Sequence, residues 1–172
     1  MRTLIYVPVI HTKADLGSLS DNVTKRGIAD LGEEFWKGHE KIVEGFWEAI
    51  ITYFKSFETA EFKIYQDGMV AEGEMGQKIV EEGVKSGSKN YEIISSLLQK
   101  GAILIRTEDF NLVKEERDRL SAIIQAKSIT RKITAVTKYK LIKNRLLSKR
   151  DEFIARRINE TLKDGETGVV FI

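Results

Sequence analysis

The chain has 172 residues, the length of one domain and enough to bury a core. Its 42% apolar and 31% charged residues exclude a disordered tail, and a net charge of +2 points to no particular partner. The absence of Cys excludes a disulfide framework, a zinc ribbon and a thiol nucleophile.

Four short apolar or β-branched runs read as strands: residues 3–9, 62–65, 102–106 and 168–172. The first, third and fourth are almost uninterrupted, the pattern of parallel strands covered on both faces. Residues 15–30 read as a polar loop rich in Gly, Ser and Asn, of a length that often carries function. A long helix is expected over 30–57, where Phe35, Val43, Phe46, Trp47, Ile50, Phe54 and Phe57 recur at helical spacing. Its aromatic residues are expected in the core, with His39 at the boundary, bonded to a carbonyl. Shorter helices follow over 76–83 and 90–100. Neither Gly nor Pro occurs between Gly101 and Gly165, so helices are expected over 110–127 and 130–162, with a bend near 128–130.

Alternation of strands and helices predicts one α/β domain over 1–172. It is a three-layer sandwich of about four mostly parallel strands, with helices on both faces and a helical insertion, residues 109–163, before the last strand. No apolar run approaches the roughly 18 residues of a membrane span, and no leader pattern follows Met1. No membrane association and a cytoplasmic address are expected.

In an open parallel sheet, ligands bind beyond the carboxyl ends of the strands. The residues there are His11 and Asp15 after the first strand, Gln66-Asp67-Gly68 after the second and Thr107-Glu108-Asp109 after the third. His11, Asp67 and Glu108 would converge on one edge, as ligands for a divalent metal or as an acid/base set. Ser18 lies in the loop behind His11. Local roles compete: Asp109 is placed to cap the next helix, and Asp67-Gly68 reads as a turn. No glycine cradle for phosphate and no nucleophile elbow is present.

Charge is unevenly placed. Between Asp30 and Glu82, thirteen acidic residues face five basic ones, whereas residues 124–150 carry nine Lys/Arg and no acid. The segment 127–150 has the charge for nucleic acid, yet its Ile, Val and Leu spacing reads as a solvated basic face on a packed helix.

The segment IYVPVIHTKADLGSL, a strand ending in His11 with a polar loop behind it, resembles the opening of the TraB/PrgY-like family. Tiki, ChaN-like and erythromycin-esterase-like proteins are its relatives. KRDEFIARRINETLKDGETGVVFI resembles that family's closing segment, an Arg-led helix before a strand that delivers a Gly-x-x-His motif. FKIYQDG resembles its second strand, where relatives carry an acidic residue.

The resemblance implies a metal or catalytic role for His11, an acidic partner in Asp67 and a place near the site for Arg150. It further implies a metal-dependent hydrolase in which Mn²⁺, Co²⁺ or Zn²⁺ activates a water and a carboxylate acts as base. Members include proposed peptidases as well as signalling proteins. Two departures stand out. Pro8 replaces the Gly of the first motif, and the second motif is missing where the sequence stops at Ile172, as expected of a truncated chain or a halved site. The alternatives are an interaction or signalling module, forming a homodimer through its long helices, and nucleic-acid binding through residues 127–150.

Overall fold

All strands of the sheet run in one direction. The computed structural model describes residues 1–15 and 20–172. Its strands β1 (Thr3–Val7), β2 (Lys63–Gln66), β3 (Ile103–Ile105) and β4 (Thr167–Phe171) form a parallel sheet in the order β1-β4-β2-β3. The helices are α1 (Ser20–Leu31), α2 (Glu33–Lys55), α3 (Gly73–Lys85), α4 (Lys89–Gln99), α5 (Phe110–Ile124) and α6 (Ile129–Thr161). The mixed α/β architecture with its parallel sheet is therefore the one expected, as are the positions of the strands to within two residues. Among the described residues, no helix is long and apolar enough to cross a membrane.

The period-2 alternation of a strand sends neighbouring side chains to opposite faces. On one face Val7, Ile64, Leu104, Val169 and Phe171 pack with Trp47 and Phe54 of α2, Val80 of α3 and Ile93, Ile94 and Leu97 of α4. On the other, Tyr65, Ile105 and Val170 meet Ile158 of α6 and Leu162 just beyond it. Helices thus cover both faces, the second only in part. Edge strand β1 departs from the expected burial on two sides, since Leu4 and Tyr6 are 45% and 63% exposed. The terminal turn of α6 packs instead on Tyr65, Ile105 and Val170 of the other three strands.

Four further expectations are corrected. Residues 20–31 form a helix rather than a loop, and Gly27 lets that helix pack closely on the ring of Trp36. A Cβ there would come within 2.0 Å of that ring. The long helix expected over 30–57 is broken at Gly32, whose φ of 89° ends α1 and opens α2. Phe35 and Phe57 lie exposed rather than in the core, and exposed His39 stacks on Trp36. Finally, the basic helix is not packed along its length: Ile129, Ile133 and Leu141 are exposed, and α6 reaches burial only from Leu146.

Candidate functional site

The carboxyl ends of the strands meet beside a single guanidinium. Backbone bonds set the stage: the Asp67 amide donates to Phe171 O at 2.8 Å, and the Thr107 and Glu108 amides donate to Met69 O at 2.9 and 3.0 Å. Thr107 Oγ1 accepts from the Gln66 amide at 3.1 Å, tying the ends of β2 and β3 together. Asp67 and Glu108 are thereby held side by side. Asp109 caps α5, accepting from Asn111 N and Leu112 N at 2.9 and 3.2 Å, as its position predicts.

Arg150 of α6 reaches both carboxylates. Its Nε donates to both oxygens of Glu108 at 3.1 and 3.2 Å, and its Nη2 donates to Glu108 Oε1 at 2.5 Å and Asp67 Oδ1 at 2.7 Å. Nη1 donates to Glu116 Oε2 at 2.6 Å, while the Tyr139 hydroxyl donates to Glu116 Oε1 at 2.9 Å. One cation therefore serves three carboxylates. Glu108 is fully buried, and burial pushes its carboxyl above the usual range. Arg150 opposes that shift, and the neighbouring Asp67 adds to it. The same partners, Glu108 foremost, hold the guanidinium well above its ordinary value.

Asp67 also faces a cleft of about 280 Å³ lined by His11, Asp15, Gln66, Ser88, Asn90 and Tyr91 among others. The segment carrying His11 is pinned by Trp47, whose Nε1 donates to Ile10 O at 3.0 Å. Asp15 Oδ2 is engaged locally, accepting from the amide and hydroxyl of Thr12 at 2.6 and 2.8 Å. Behind the cleft runs a short relay whose direction is forced. The Asp67 carbonyl can only accept, so Gln66 offers it Nε2 at 3.0 Å and turns Oε1 toward Asn90, whose Nδ2 donates at 2.9 Å. Asn90 Oδ1 is left without a partner among the described residues, as is Ser88 Oγ. Burial, then the charges of Asp67 and Asp15, raise the phenol pKa of Tyr91.

Of the residues singled out from sequence, Asp67, Glu108 and Arg150 come together in one ion-pair network. His11, Asp15 and Asp67 line one cleft, and Glu108 lies behind it. Ser18 lies outside the described residues. Among the described residues, no group of three or more His, Cys, Asp or Glu side chains is placed to hold a metal ion. Sequence reasoning missed Glu116, Tyr139, Ser88 and Asn90. Asn90 had a signal: with Ile93, Ile94 and Leu97 it occupies the apolar stripe of α4, where a polar residue calls for a reason. No family model, curated protein or solved structure matches this chain.

Proposed function

We propose that the cleft at the carboxyl edge of the sheet binds a small molecule bearing an ammonium or guanidinium group, and that the chain is a TraB-like hydrolase in which a side-chain acid and base do the work of the metal that the resemblance implies. The observation that carries the binding is the orphaned pair in the cleft wall, Asn90 Oδ1 and Ser88 Oγ, beside the carboxylates of Asp67 and Asp15. An amide oxygen only accepts and a carboxylate is negative, so the complementary ligand is a positively charged donor.

The hydrolytic half rests on Asp67 and His11. Asp67 is oriented by Arg150 and open to the cleft, where it takes a proton from the attacking water. His11, on the same cleft, gives a proton to the leaving group. Glu108 does not reach the substrate and acts as a positioning residue through Arg150. Support for the TraB-like reading is that Asp67 and Arg150, both assigned to the site by the resemblance, are in contact at 2.7 Å, with His11 on Asp67's cleft. No step runs through a metal.

Calorimetry and ester hydrolysis test both halves. Arginine methyl ester binds saturably, acetate does not, and Asp67→Asn removes the binding. Turnover disappears in His11→Ala while binding persists. The absence of heat with the ester, or equal heat with acetate, overturns the binding. Turnover unchanged in His11→Ala overturns the hydrolase. Saturable Mn²⁺, Co²⁺ or Zn²⁺ binding that is lost in His11→Ala would replace this mechanism with a metal-assisted one.

A further inference from the structure

Helices α5 and α6 pack against each other as a hairpin, and along it neither α5 nor α6 before Leu146 buries a side chain. Residues 110–149 carry eleven Lys/Arg and three Asp/Glu, against seventeen and twenty-three in the rest of the chain. A net +2 therefore conceals an arm of +8 on a body of −6. In the body, cations such as Lys13, Lys37, Lys63 and Arg157 are neutralised by Glu40, Glu33, Glu166 and Glu72. From Lys127 to Lys149, eight Lys and Arg side chains have no ion pair among the described residues.

Their spacing is ordered. Arg131, Lys138, Arg145 and Lys149 are seven, seven and four residues apart, which places them on one face of α6. At the helical rise this stripe is about 27 Å long. Arg131 and Lys138 also line a groove of about 470 Å³ between the two helices, with Arg119, Lys127 and the hydroxyl-bearing Thr130 and Thr134. One strand of a duplex presents a phosphate every ~3.4 Å, so the stripe spans about eight phosphates.

We propose that this face of the arm binds the phosphodiester backbone of a nucleic acid, without base readout. A second copy or another protein is the weaker occupant. Lysine is depleted at the centre of protein interfaces, and α6 carries no acid between Ile129 and Lys149 to answer a partner's cations, while Glu115 of the facing α5 is paired with Arg119. The apolar Ile129 and Ile133 lie off the stripe, toward the opposite side of α6. The site is separate from the cleft, so each reading stands or falls by itself.

Fluorescence anisotropy of the full chain with labelled 20-base-pair DNA, 20-base-pair RNA and single-stranded RNA tests it over a salt series. About four phosphate contacts give a slope near −3.6 in log K against log salt for a duplex and about −2.8 for the single strand, a loss of about 150-fold for the duplex between 50 and 200 mM. The variant R131Q/K138Q/R145Q/K149Q abolishes binding while its urea midpoint stays at the parent value, since all four side chains are exposed. The control K25Q/K41Q/K55Q, on the body, binds as the parent does. Binding of any of the three probes with its expected slope sustains the proposal, and the ranking among them names the preferred nucleic acid. No anisotropy change at 50 mM salt, or a slope near zero, overturns it. So does equal binding of polyglutamate, which would mark an acidic protein. A doubled mass of the protein alone, abolished by the quadruple variant, would give the face to a second copy.

Discussion

Asp67 Oδ1 and Glu108 Oε1 accept from the same nitrogen, Arg150 Nη2, at 2.7 and 2.5 Å. The ends of two neighbouring strands are thereby fastened to one point on α6, the helix that also forms the arm. Removing that nitrogen strands a fully buried carboxyl.

Arg150→Met is accordingly expected to cost about 3–5 kcal/mol at pH 7, the usual cost of breaking a buried pair. The sign of its pH dependence follows from Glu108. A carboxyl whose pKa is raised by folding contributes stability that is present below its unfolded value and lost as pH rises. Without Arg150 the only opposing influence is gone, so the deficit shrinks from pH 7 to pH 5. Urea midpoints of parent and variant at the two pH values measure it, and a deficit independent of pH would refute the assignment.

Trp47→Phe tests the anchoring of His11. The loss of the Nε1 bond to Ile10 O costs about 1 kcal/mol. It also loosens the segment carrying His11, so ester turnover falls by more than the affinity for the ester. Equal turnover in parent and variant would show that the anchor does not matter to the site.

Glycines divide by what a methyl group would meet. At Gly83 a Cβ would come within 2.4 Å of the Tyr91 ring, which lines the cleft. Gly83→Ala is expected to lose about 1–3 kcal/mol and to weaken ligand binding. Gly45, mid-helix in α2 with nothing within 4 Å, is the reverse case. Gly45→Ala gains about 1 kcal/mol, the helix propensity difference. Thermal melts of the two variants should move in opposite directions.

Thr59 is fully buried, and its hydroxyl has no partner among the described residues. Thr59→Val keeps the shape and removes the unpaired dipole, so a gain of about 1 kcal/mol is expected. A loss in urea titration would reveal a hydrogen bond, through water, that the hydroxyl makes.

Strand positions were legible because buried parallel strands read as short apolar runs, and Asp67 and Glu108 because ligands gather at the ends of such strands. The helix over 20–31 was hidden by its polar, glycine-bearing composition, since the reason for Gly27 is a tryptophan nine residues away. Periodicity placed Ile129, Ile133 and Leu141 on one pattern with buried Leu146, but it cannot say where a helix leaves the body it packs on. Arg150 entered through the resemblance, and its network with Glu116 and Tyr139 spans 34 residues of chain that no local pattern connects.

The place of β4 has a consequence for assembly. β1 joins the sheet only through β4, pairing Thr3 with Thr167 and Val7 with Phe171. During synthesis the first strand must wait, with Leu4 and Tyr6 uncovered, until some 160 further residues have emerged to receive it. Its pairing is among the most non-local contacts that a chain of this size can make, and loops of that span close slowly. A nascent chain halted before residue 167 would hold helices and two paired strands but no place for β1, and would present that strand to chaperones or to neighbouring chains.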